Sequence, residues 1–71
     1  MKEQLDKLNE KIKAGEINVE DFYTIGVSEY KVNIQGIFSK DMVNKYKAYN
    51  LSLKDNGYVE GELDGIEITL T

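Results

Sequence analysis

The chain has no cysteine, histidine, arginine, proline or tryptophan, and the first three absences each remove a class of chemistry. Without cysteine there are no disulfides and no thiolate metal sites. Without histidine the chain lacks the commonest transition-metal ligand and the side chain that titrates near neutral pH. Without arginine it has no planar fork with which to grip guanine edges or phosphates bidentately. No apolar run approaches the ~20 residues of a membrane span. The first residues, MKEQLDKLNEKIKAG, are too charged to read as a signal peptide. The expectation is a soluble protein of the bacterial, or phage-infected bacterial, cytoplasm. A composition rich in lysine, asparagine, isoleucine and tyrosine fits an AT-rich genome, and so a phage or other mobile element.

What is present is one domain's worth of chain. Its 71 residues carry a formal charge of -4. A chain this short buries only about 60% of its unfolded surface. With disulfides and thiolate metal sites excluded and no histidine ligand, association with another chain is the favoured route to extra support.

Residues 2 to 14 have helical spacing, with Leu5, Leu8 and Ile12 on one narrow stripe and Gly15 as a C-cap. The stripe suits packing on a sheet or pairing with a second copy, and it favours a homodimer over a monomer. From residue 23 the period changes to two. Tyr23, Ile25 and Val27 alternate, as do Tyr30, Val32 and Ile34. A turn at Ser28-Glu29, pairing Val27 with Tyr30 and Ile25 with Val32, would put both series on one face. Ser-Glu is poor turn chemistry, so a bulge or short loop is the alternative. Ser39 then reads as an N-cap and Asp41 as a first-turn acid. They open a helix of about ten residues with Met42, Val43, Tyr46 and Tyr49 on its apolar face.

The C-terminal third can be registered from its turns. Asp64-Gly65 is a strong hairpin turn, setting Leu63 opposite Ile66, Gly61 opposite Ile68 and Val59 opposite Leu70. A loop Asp55-Asn56-Gly57, with Gly57 in the left-handed region, sets Leu53 opposite Val59. The fold class expected is α+β: a small single domain over residues 1–71, in the order α-β-β-α-β-β-β. An antiparallel sheet carries the helices on one face.

This register crowds acids. Tyr58, Glu60 and Glu62 share the outward face, Glu62 faces Glu67, and Asp64 sits in the turn. Like charges directly opposite are mildly destabilising. The plain explanation is solubility and protection of exposed strands against aggregation. The functional one is that Tyr58, Glu60, Glu62, Asp64 and Glu67 form a recognition face for a basic protein partner.

Other chemistries fit less well. EGELDG imitates the opening of a calcium loop, but Thr71 stands where the bidentate glutamate belongs. Ser28, Ser39 and Ser52 have no histidine to activate them, and suit turn, N-cap and strand roles. Paired carboxylates could suggest glycoside hydrolysis, but so small a core leaves little room for a cleft. There is no phosphate-binding glycine motif. The expectation is a protein without catalytic residues, metal or cofactor, not an enzyme. It is read as a protein-binding module, in concrete form a small accessory or inhibitor protein.

Two alternatives stand beside this reading. One is nucleic-acid binding through the basic stretch of residues 40–54, where Lys40, Lys45, Lys47 and Lys54 meet Asp41 alone. The acidic balance of the whole chain argues against it. The other is a purely structural homo-oligomer, built through the first helix or an edge strand.

Overall fold

The computed structural model describes residues 2–71. Helix α1 spans Lys2–Lys13 and ends in the anticipated cap. Gly15 has φ 77, and the amides of Gly15 and Glu16 donate to the carbonyls of Ile12 and Lys11. A 3-10 turn, Val19–Asp21, leads into strand β1, Phe22–Val27, and then β2, Val32–Gly36. Helix α2, Lys40–Lys45, begins at Ser39, whose Oγ accepts a hydrogen bond from the Met42 amide at 3.1 Å. It is shorter than its apolar pattern implied. Tyr46 leaves helical geometry (φ -110, ψ 27), and a 3-10 turn, Lys47–Tyr49, carries the rest of that pattern. Strands β3, Ser52–Leu53, β4, Val59–Leu63, and β5, Ile66–Leu70, complete the domain.

The fold is α+β, as the order of elements implied, but its sheet is mixed. The strand order is β1-β2-β5-β4-β3. The β1–β2 hairpin and the β3–β4–β5 meander are antiparallel, and they join through a parallel pairing of β2 with β5. An all-antiparallel sheet is therefore corrected. The reason is tertiary: β2 and β5 carry the most deeply buried residues, and side by side they form the centre of the sheet. The connection between them passes through α2 and returns the chain in the same direction, as parallel neighbours require.

The C-terminal register is the one read from the turns. Leu63 faces Ile66, Gly61 faces Ile68, Val59 faces Leu70 and Leu53 faces Val59. Asp64 and Gly65 both have positive φ, at 53 and 79, and Gly57 has φ 86. The first hairpin differs from its expected register. Val27 pairs with Val32 and Ile25 with Ile34, so Ser28, Glu29, Tyr30 and Lys31 form the loop. Ser28 closes it: its amide and its Oγ both donate to the Lys31 carbonyl, at 2.9 and 3.0 Å. Tyr30, expected to pair with Val27, lies in this loop and is 82% exposed.

One face of the sheet is covered. Val32, Ile34, Ile66, Ile68 and Leu70 line it, and Leu8, Ile17, Tyr46 and Tyr49 close over them. The 3-10 turn is seated directly on β4, where a Cβ at Gly61 would fall 2.1 Å from the Tyr49 carbonyl oxygen. Leu8 is 4% exposed within this core and Leu5 43%. Leu8 of the α1 stripe thus packs on its own sheet, while Leu5 stays largely exposed.

Candidate functional site

The other face of the sheet has no helix on it, and strand alternation decides what stands there. Asn33 and Gln35 on β2, Glu67 and Thr69 on β5, and Glu60 and Glu62 on β4 point away from the core. Glu60 faces Thr69 and Glu62 faces Glu67. Tyr58 continues the β4 series and is 44% exposed; its amide donates to Asn56 Oδ1 at 2.9 Å.

Five acidic-face residues were singled out in the sequence, and the structure sorts them into three settings. Glu67 is held: its Oε2 lies 3.1 Å from Lys31 Nζ and its Oε1 accepts from Asn33 Nδ2 at 2.8 Å. The same Asn33 amide donates to Thr69 Oγ1, and Gln35 Nε2 donates to Asn33 Oδ1. The hydrogen bond to Glu67 raises the Lys31 pKa above its ordinary value, with the charges of Glu62 and Glu60 adding to it. Asp64 is drawn off the face. It lies 3.3 Å from Lys11 Nζ of α1, which also approaches Glu16 at 3.6 Å. Burial works against the Lys11 charge, but these carboxylates hold its pKa above the ordinary value.

Tyr58, Glu60 and Glu62 remain. Among the described residues no ion pair engages Glu60 or Glu62. Both line a shallow depression of about 230 Å³ with Asn50, Lys54, Gly61 and Glu67.

The Asn33–Gln35–Thr69 ladder was not read from the sequence. Its signal was there in the polar residues between Val32, Ile34 and Gly36. It becomes a site only beside β5, and that parallel pairing has no local signature. Two further features also lay outside the sequence reading. The exposed Phe38 and Leu53 line an apolar groove of about 410 Å³ with Gly57, Val59, Leu70 and Thr71. And Tyr23 reaches the end of β5, its hydroxyl 3.0 Å from Thr71 Oγ1.

Two lysines of the basic stretch have carboxylate neighbours. Lys45 Nζ lies 2.6 Å from Asp21 Oδ2, and Lys54 shares the depression with Glu60 and Glu62. Asp21 also accepts a 2.6 Å hydrogen bond from the Tyr46 hydroxyl, which in turn accepts one from the Asn18 amide. Hydrogen bonds from Lys45 and then Tyr46 hold the Asp21 carboxyl below its usual range. Burial, reinforced by Asp21, pushes the Tyr46 hydroxyl up to about 12. This cluster fastens the start of β1 to the end of α2.

The serines occupy structural posts: Ser28 closes the hairpin loop, Ser39 caps α2 and Ser52 sits in β3. Among the described residues, no group of three or more acidic side chains gathers with metal-binding geometry, and no helix is long and apolar enough to cross a membrane. The arrangement can present charge and shape to another macromolecule. Compared with protein families, curated proteins and solved structures, the chain matches none.

Proposed function

We propose that the chain is a non-enzymatic protein-binding module. It presents the uncovered face of β4, with Tyr58, Glu60 and Glu62 at its centre, to a basic surface on a protein partner. One observation carries the reading. Glu60 and Glu62 stand on an open sheet face with no ion pair from the described residues, while Glu67, Asp64 and Asp21 each have one. Free carboxylates beside an exposed tyrosine suit steering and docking of cations. Glu67, opposite Glu62 on the same face, is held by Lys31 and Asn33. A small accessory or inhibitor protein, masking the basic groove of a cytoplasmic target, is the form this activity takes.

The test compares Glu60→Gln/Glu62→Gln with Lys45→Glu/Lys47→Glu in capture of partners from the host cell. Wild type should capture a basic protein with an on-rate that falls as salt rises. The glutamine pair should slow capture several-fold without unfolding the domain. Salt-sensitive binding to DNA or RNA by wild type, lost in the lysine pair and kept in the glutamine pair, would replace this reading with the nucleic-acid one.

A further inference from the structure

We infer that the chain forms a twofold dimer by antiparallel pairing of β1 with β1 of a second copy, each Gly26 facing its own counterpart. The inference rests on residues apart from the acidic face and stands independently of it.

Strand β1 is one outer edge of the sheet. Edge strands normally carry a protection such as charge, proline or extreme shortness. The opposite edge, β3, is only 2 residues long. Strand β1 is 6 residues long and reads FYTIGV, without a charge or a proline. A bulge disturbs it between Phe22 and Thr24, and the remainder, up to Val27, pairs regularly.

The free groups of that remainder follow from the ladder. The Ser28 amide bonds to the Lys31 carbonyl. In an antiparallel pair the hydrogen-bonded positions alternate, so Gly26 and Thr24 turn their backbone groups toward β2. Ile25 and Val27 turn theirs outward. A twofold axis at Gly26 then sets Ile25 of each copy against Val27 of the other. Every outward N–H meets an outward carbonyl, and the bulge stays outside the pairing. Side chains match as well as backbones, because Ile25, 47% exposed in the single chain, is covered by an apolar neighbour on the core face.

Gly26 supplies the second observation. Its φ is not among the positive values, and a Cβ there would meet only the Asn33 carbonyl oxygen, at an ordinary 3.8 Å. Neither conformation nor packing within one chain calls for glycine. A glycine inside a strand weakens it, and often marks the close approach of another backbone. In the proposed register Gly26 occupies the non-hydrogen-bonded site on the axis, where facing Cα atoms come within about 4.5 Å. A basic partner finds no carboxylate on this strand. A second copy finds a complement at each position.

Sedimentation equilibrium from micromolar to millimolar concentration should show wild type moving to twice the 8.1 kDa chain mass. Gly26→Lys and Gly26→Glu each place like charges face to face on the axis and should weaken association at least tenfold. The monomer has room for both side chains, so both should keep the wild-type circular dichroism. Mixed in equal amounts they should associate again, because only the mixed pair sets lysine against glutamate. Gly26→Ala should fold and dimerise more weakly than wild type, but less weakly than the charged variants, because its methyl group enters the close approach on the axis. Wild type that stays at 8.1 kDa throughout, a Gly26→Lys variant that associates like wild type, or a mixture that does not associate would each overturn the inference. So would dimerisation lost in Leu5→Glu and retained in Gly26→Lys, which would return the interface to α1.

Discussion

The β3–β4–β5 meander and the β1–β2 hairpin are built from similar alternating sequence, yet only the meander's register could be read in advance. The difference lies in the turns. Asp64-Gly65 and Gly57 supply positive φ at the positions tight turns demand. That commits each hairpin before any tertiary contact forms. The loop at residues 28–31 has no glycine, and its geometry rests on Ser28 and Lys31 hydrogen-bonding each other. Its register was settled by burial instead. Shifting β1 by two residues against β2 keeps the same face inward, so the pattern permits both pairings. The observed one sets Val27 and Ile25 against the buried Val32 and Ile34.

Substitutions should separate the two halves by size and by cause. The largest effect belongs to Gly61 in the meander. Gly61→Ala puts a methyl group 2.1 Å from the Tyr49 carbonyl oxygen, and backbone cannot yield as a side chain can. A cost above the usual overpacking range of about 1–3 kcal/mol is expected, read as loss of cooperative unfolding or a sharply lower denaturant midpoint.

Tyr46→Phe comes next and acts on the other half. It removes the 2.6 Å bond to Asp21 and the acceptor for the Asn18 amide. A loss of about 1.5–3 kcal/mol is expected. Amide exchange should accelerate in β1 and α2 before it does in β4 and β5. Uniform acceleration would show that the halves unfold as one unit.

The same cluster sets a pH dependence. The Tyr46 hydroxyl ordinarily titrates at 10.0 and is raised to about 12 in the fold. A raised pKa means the folded state holds the proton more tightly. Its stabilisation is complete below 10.0 and drains away as pH rises through about 12. Asp21 is depressed from 3.8, so its contribution is present above that value and is lost as pH falls below it. Tyr46→Phe should shrink the alkaline arm in a plot of denaturant midpoint against pH, leaving the part that the raised Lys11, Lys31 and Tyr49 supply.

Gly65→Val should cost about 1–2 kcal/mol by forcing a branched residue to positive φ, and Gly57→Val a similar amount. Ser28→Ala, in the loop without glycine, should cost under about 1 kcal/mol, because its bonds are exposed. If Ser28→Ala proves as costly as Gly65→Val in thermal melts, turn chemistry does not explain the contrast between the halves. The smallest effect is expected at Glu62→Gln, which relieves the facing Glu67 and should raise stability by a few tenths of a kcal/mol.

Local chemistry determined a good deal of this protein. Helical spacing located α1, Ser39 located the start of α2, and the glycines at 15, 57 and 65 located a cap and two turns. Alternation placed Tyr58, Glu60, Glu62 and Glu67 on one face. These features depend on residues a few positions apart, whose steric and hydrogen-bonding preferences act before the chain collapses. Only the tertiary structure decided that β2 lies parallel to β5, because that choice depends on which two strands take the buried centre of the sheet. The parallel pairing then chose which acids stand free. It brought Lys31 and Asn33 to Glu67, while the packing of α1 brought Lys11 to Asp64. Glu60 and Glu62 were left open on β4. Charge along a chain reports how many carboxylates there are; whether Glu67 and Asp64 gain a cation depends on neighbours more than thirty residues away, and folding supplies those.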